Sequence, residues 1–110
     1  MKFLSDKKCV ACEGGTPPLE AEKVKEYMAE LSGGWEAVDG KKIKKEFKFK
    51  DFKEAMAFVN KTAEIAESEG HHPDIHIFYN QVIVELLTHA VGGLSENDFI
   101  LAAKIDKIIL

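Results

Sequence analysis

No stretch of this 110-residue sequence approaches the roughly 20 consecutive apolar residues that a membrane-spanning helix needs, and Met1 to Asp6 lacks the apolar run of a signal peptide. We therefore expect a soluble, cytoplasmic protein with no membrane partner. Positive charge is not in excess either: 15 Lys and Arg face 19 Asp and Glu, a formal net charge of −4. A phosphate backbone is held chiefly by clustered cations, so nucleic acid is not the expected partner. Cysteine is scarce. Cys9 and Cys12 make one CxxC with no second pair, and there is no HExxH, which argues against a zinc site and for reduced thiols. The CxxC lies in an irregular stretch and not at a strand-to-helix turn, so thioredoxin-like chemistry is not expected either. No period of 20–50 residues repeats strictly.

What is present is enough apolar residue for a core. Hydrophobic residues are 45% and charged residues 31%, the composition of one folded domain and not of a disordered chain. Residues 1–16 show no periodic apolar face and read as an irregular N-terminal tail; residues 17–110 read as a single domain. Pro17-Pro18 prepares a helix over Leu19–Leu31, stopped by Gly33-Gly34. A hairpin follows: Trp35–Val38, an Asp39-Gly40 turn suited to type I′, and Lys42–Phe49. In its second strand Ile43, Phe47 and Phe49 share one parity and Lys44, Glu46 and Lys48 the other, which predicts a sheet covered on one face. Asp51–Glu69 reads as the longest helix, with Phe52, Met56, Val59, Ala63 and Ala66 as its apolar stripe and Gly70 as its end. A second hairpin spans Asp74–Tyr79 and Val82–Leu87, turning at Asn80-Gln81. Ser95 then caps a terminal helix, with Asp98 at the capping-box position.

The order α-ββ-α-ββ-α predicts an α+β fold, a four-stranded antiparallel sheet with three helices on one face. The terminal helix is apolar nearly all round, from Phe99 to Leu110, which predicts a subunit interface and a homo-oligomer. Strands at the sheet edges offer a second route to pairing between chains.

All four histidines, His71, His72, His76 and His89, lie within nineteen positions of one another. Pairing the second hairpin brings His71-His72 and His89 to the same edge of the sheet. Imidazoles gathered there can give and take protons near neutrality. Glu64, Glu67 and Glu69 crowd the end of the long helix, where the macrodipole disfavours negative charge. Glu67, four residues before His71, is placed to orient or polarise it; a solvated acidic face explains the same residues, and spacing leaves both readings open. Adjacent histidines are not a usual metal-ligand pair, so no metal is expected. Ser68 has no nucleophile motif around it, Gly92-Gly93 reads as a loop needing positive φ, and Tyr79 reads as core.

The spaced pattern Glu67-x3-His71-His72-Pro73-x5-Tyr79-x9-His89-x8-Asp98 resembles the signature of the pterin-4a-carbinolamine dehydratase family. The similarity runs back through Phe47-x-Phe49-x-x-Phe52-x-x-Ala55-x-x-Phe58 and forward through Thr88-His89 and Gly93-Leu94-Ser95, covering about residues 17–108. This resemblance implies a hydro-lyase that dehydrates 4a-hydroxytetrahydropterin to quinonoid dihydropterin in tetrahydrobiopterin recycling, without metal, flavin or nicotinamide. It implies acid–base roles for His71 and His89, pterin holding by His72, and polarisation of the pair by Glu67. Pro73, Thr88, Ala90 and Val91 would line the substrate with the histidines. Tyr79 and Asp98 would support the site, Asp98 by capping the helix or by steadying His89. The resemblance also implies a homodimer or homotetramer. Two alternatives accompany it: a dimerisation cofactor for a transcription factor, and a pterin-binding role in molybdopterin metabolism. Many family members carry an aromatic residue where Ile75 stands and an acidic one where Ala90 stands, which bears on the pterin side chain accepted.

Overall fold

Alternating apolar positions build the sheet that everything else packs on. In the computed structural model, which describes residues 4–9, 17–31 and 33–108, strands β1 (Glu36–Val38), β2 (Lys42–Lys48), β3 (Asp74–Phe78) and β4 (Gln81–Leu86) form one antiparallel sheet. Its order is β1-β2-β4-β3, so the two hairpins meet through β2 and β4 and β3 is an edge. Ile43, Val82, Val84 and Leu86 are fully buried on the face covered by helices. Lys44, Glu46, Lys48 and Glu85 have the opposite parity and stand on the uncovered face.

Turn chemistry fixes both hairpins. Asp39 (φ 54°) and Gly40 (φ 65°) take the two left-handed positions that a type I′ turn requires. In the second hairpin Phe78 pairs with Gln81, so the turn residues are Tyr79 and Asn80, one position earlier than the sequence suggested. Tyr79 has φ 52° and is 66% exposed, so it is a turn residue and not core. Asn80 sets this placement: its Nδ2 donates to the Phe49 carbonyl at 3.0 Å and its carbonyl accepts from the Phe49 N–H at 2.8 Å.

The three helices are α1 (Ala21–Glu30), α2 (Phe52–Glu69) and α3 (Glu96–Asp106). Asp51 caps α2 by accepting from the Glu54 N–H at 2.9 Å, and Gly70, at φ 67°, ends it in the left-handed conformation. The buried stripe of α2 is Ala55, Phe58, Thr62 and Ala66, rotated from the expected one; Phe52 is half exposed. Thr62 tolerates full burial because its hydroxyl donates to the Phe58 carbonyl at 2.9 Å.

The terminal helix α3 departs from expectation most. Phe99, Leu101 and Ala102 have no exposed surface, and Ile100 and Ile105 almost none. Its apolar excess faces its own protomer: α3 packs against α1, α2 and a 3₁₀ turn at Leu4–Asp6, and Tyr27 stacks on Phe99 at 5.2 Å. A helix apolar all round is here a buried helix, not a subunit interface. Ile109 and Leu110 lie outside the described residues. No described helix is long and apolar enough to cross a membrane.

Part of the segment expected as a tail covers α3. Leu4 is buried, Lys7 Nζ sits 2.9 Å from Glu96 Oε2, and the Tyr27 hydroxyl donates to the same oxygen at 2.9 Å. The Cys9 N–H donates to Glu69 Oε1 at 2.8 Å, and Lys104 Nζ lies 3.5 Å from Glu69 Oε2. Burial pushes the Glu69 carboxyl up, but the Cys9 N–H and Lys104 outweigh it and leave it below the ordinary range. The acidic end of α2 is thus an anchor for the N-terminal segment. At the other end of α3, Asp106 accepts from Trp35 Nε1 at 2.9 Å and from Lys45 Nζ at 2.8 Å, tying the helix to the sheet.

The Lys7–Glu96–Tyr27 cluster has a pH signature at both extremes. Its bond to Lys7 holds Glu96 below its usual 4.5, so the contribution to docking is present above that pH and is lost as pH falls through the lowered value. Burial, then Glu96, raises the Tyr27 phenol from 10.0 to about 12, so its contribution is intact below pH 10 and is lost as pH climbs toward 12. Spectrophotometric titration should find a tyrosine ionising near pH 12 that Tyr27→Phe removes. Ionisation of Tyr27 at pH 10 would show that neither burial nor Glu96 holds its proton.

Candidate active site

The site begins where α2 stops. Gly70 turns the chain out of the helix, and the His71 N–H returns to the Ala66 carbonyl at 3.2 Å, fixing the direction in which His71 leaves. The His71 ring places Nε2 2.6 Å from Asp98 Oδ1; the histidine side chain is 12% exposed and the aspartate not at all. With a carboxylate as acceptor, Nε2 is the ring nitrogen that donates in this bond.

Asp98 answers its burial with donors. Its Oδ2 accepts from the Ser95 N–H at 3.0 Å, the reciprocal bond of the α3 capping box, and from the Thr88 hydroxyl at 2.9 Å. Thr88 Oγ1 also lies 2.8 Å from Ser95 Oγ. The expected cap is therefore present, and the histidine that Asp98 steadies is His71, not His89.

A closed loop carries the other histidine. Thr88 and Gly93 form an antiparallel bridge, with the Thr88 N–H donating to the Gly93 carbonyl at 2.8 Å, around a 3₁₀ turn at His89–Val91. Gly92 closes the turn at φ 71°. Gly93 is required by close approach: a Cβ there would lie 2.9 Å from Pro18 Cβ. Within the loop His89 and Ala90 are exposed, while Thr88 and Val91 are buried. Since Asp74 pairs with Glu85, the start of β3 and the end of β4 share one end of the sheet, which puts His71–Pro73 and Thr88–His89 there together.

The remaining candidates divide. His72 Nε2 lies 3.2 Å from Glu67 Oε1, with both side chains well exposed, so the contact of Glu67 is with His72. Pro73 is half-buried beside them. Tyr79 is not brought to the site: the five residues of β3, roughly 16 Å of strand, separate it from Pro73. His76 pairs with Glu85 Oε2 at 2.6 Å on the uncovered face, where Lys42 also bonds Glu85 and holds its carboxyl low. Among the described residues no group of three His, Cys, Asp or Glu is arranged to hold a metal ion. Burial, reinforced by Glu69, raises the Cys9 thiol to about 12, so at neutral pH it is a protonated, unreactive group. Cys12 lies outside the described residues. Sequence reasoning paired Ser95 with Asp98 as a cap but missed the inward hydroxyl of Thr88 as a partner of the His71–Asp98 pair.

Comparison with known proteins gives the family of the chain. The family description "Pterin 4 alpha carbinolamine dehydratase" matches residues 17–108. Relatives named "Putative pterin-4-alpha-carbinolamine dehydratase" include one from Alkaliphilus metalliredigens, 45% identical over 107 residues (97% of this chain and 96% of the relative). Another, from Nitrosospira multiformis, is 53% identical over 105 residues (96% of this chain and 91% of the relative). A crystal structure described as a transcriptional coactivator/pterin dehydratase from Brucella melitensis superposes with a TM-score of 0.76 at 39% identity, covering 81% of this chain and 95% of that one. With nearly its whole length matched by sequence and 81% of it by fold, the chain belongs to the pterin 4 alpha carbinolamine dehydratase family.

Proposed function

We propose that this protein dehydrates 4a-hydroxytetrahydropterin to quinonoid dihydropterin and water, as a cytoplasmic enzyme of tetrahydrobiopterin recycling. The observation that carries the reading is the His71–Asp98 pair, 2.6 Å apart, tied through Thr88 to the loop that bears His89. The reaction needs one proton delivered and one removed. An acid protonates the C4a hydroxyl, the C4a–O bond breaks as water leaves, and the N5 lone pair forms the C4a=N5 bond. A base then takes the N5 proton, so protons balance over the cycle.

His71 and His89 suit the acid and base roles. Asp98 fixes which nitrogen of His71 holds its proton, and His89 stands exposed on a braced turn. His72, exposed and paired with Glu67, is assigned to holding the flat pterin ring, with Pro73, Ala90 and the histidines around it. Thr88 and Val91, both buried, contribute by shaping the loop. No step calls for a cofactor.

Assembly belongs to the same reading, and its location is revised. With α3 consumed by the protomer core, the exposed large apolar side chains among the described residues are Phe52, Ile77, Phe78 and Tyr79, three of them on the edge strand β3 and its turn. An open strand edge flanked by apolar side chains favours pairing with a second copy, giving the homodimer or homotetramer the family implies. The description of the Brucella melitensis structure as a transcriptional coactivator favours a second reading, a coregulator module.

Stopped-flow absorbance on 4a-hydroxytetrahydropterin tests the enzyme reading. Wild type should accelerate dehydration, and His71→Ala and His89→Ala should each lose on the order of 10²–10⁴-fold while remaining folded. A folded wild type that leaves the uncatalysed rate unchanged would overturn the reading. Sedimentation tests the assembly: Phe78→Asp should yield a folded monomer, and an unchanged oligomer would move the interface elsewhere.

A further inference from the structure

Thr88 stands next to His89 and, by resemblance, would be counted among the residues that line the substrate. Its structure assigns it otherwise. The side chain is buried, with 6% of the residue exposed, and its hydroxyl turns inward. A hydroxyl has one proton to give. Thr88 gives it to Asp98 Oδ2 at 2.9 Å, so at Ser95 Oγ, 2.8 Å away, Thr88 is the acceptor and the serine the donor. The result is a directed chain, Ser95 to Thr88 to Asp98, that ends on the carboxylate receiving the His71 Nε2–H at 2.6 Å.

The geometry of that carboxylate explains what the chain does. Oδ2 is engaged from two directions, by the Thr88 hydroxyl and by the Ser95 N–H at 3.0 Å, while Oδ1 is left to His71. Two donors on one oxygen fix the plane of the carboxylate as well as its position, and so fix the line along which Oδ1 meets the imidazole. Remove the hydroxyl, and Oδ2 keeps only the Ser95 N–H, so the plane in which Oδ1 meets His71 loses one of its two anchors. Thr88 is itself immobilised, because its N–H and carbonyl both bond Gly93 across the loop, at 2.8 and 3.4 Å. The same clamped residue precedes His89. One side chain therefore joins the orientation of the first imidazole to the loop that presents the second.

We propose that Thr88 is a positioning residue for His71, acting through Asp98, and is not a substrate contact. The inference rests on the dehydratase reading for its kinetic consequence but not for its structural one. Thr88→Val keeps the shape and removes the hydroxyl; Thr88→Ser keeps the hydroxyl and removes a methyl. Nitrogen-15 NMR of the His71 ring, assigned by its loss in His71→Gln, reads the Nε2–H directly. In wild type and Thr88→Ser that proton should be hydrogen-bonded and slow to exchange, and in Thr88→Val it should broaden or exchange rapidly. In the dehydration assay Thr88→Val should lower kcat about 10–100-fold with KM nearly unchanged, and Thr88→Ser should restore it. Ser95→Ala, which removes the donor to Thr88, should move both readouts less and in the same direction, and decides the matter if Thr88→Val does not fold. A wild-type Nε2–H signal in the folded variant, or a rise in KM with kcat intact, overturns the proposal. An inactive wild type whose Nε2–H still depends on Thr88 would refute the dehydratase reading and leave the positioning role standing.

Discussion

A carboxylate with no exposed surface must be met by donors, and Asp98 is met by three: the His71 ring, the Thr88 hydroxyl and the Ser95 N–H. Each donor comes from a different part of the chain, the exit of α2, the end of the second hairpin and the entry to α3. Leaving any one buried and unpaired costs about 1–3 kcal/mol, so the three segments are held in register by a single group. The cap that starts α3 and the partner that orients a candidate acid–base group are the same side chain. Stability of the helix entry and readiness of the site are therefore not separable here.

The rest of the fold supplies Asp98 with a fixed platform. Helix α3 is largely buried, stacked by Tyr27, covered by Leu4 and tied to the sheet through Asp106, Trp35 and Lys45. Close approach of Pro18 to Gly93 braces the His89 loop from the other side. His71, His72 and His89 stand at one end of a sheet whose register, Asp74 against Glu85, leaves little freedom in where the two strands begin and end. Exposure falls on His72, His89 and Ala90, the groups a ligand would reach, and burial falls on the groups that hold them.

Much of this was legible in the residues. Parity in Lys42–Lys48, the Asp39-Gly40 turn, the Gly70 stop and the Ser95–Asp98 box each name a local structure through a physical requirement, and each is found. The failures are equally physical. Glu67 was paired with His71 on helical i,i+4 spacing, but the helix has ended at Gly70, and past that point His72 is the neighbour. The apolar surround of α3 reflects burial, and part of what buries it, beside α1 and α2, is a segment with no periodic face that local sequence does not mark as a cover. Tyr79 was read as core by type, while its left-handed turn position follows from bonds between Asn80 and Phe49 that local sequence does not reveal. The inward hydroxyl of Thr88 is a long-range contact and had no local signal.

The claim on which the functional reading turns is that the end of the sheet carrying the Asp98-held His71 is where a pterin binds. A crystal structure with a stable dihydropterin bound addresses it most directly. The ring should lie within hydrogen-bond distance of His71 Nδ1 and beside His89, with the His71–Asp98 contact kept. A pterin seated elsewhere on the protomer, or a His71 ring turned away from Asp98 when the ligand is present, would contradict it.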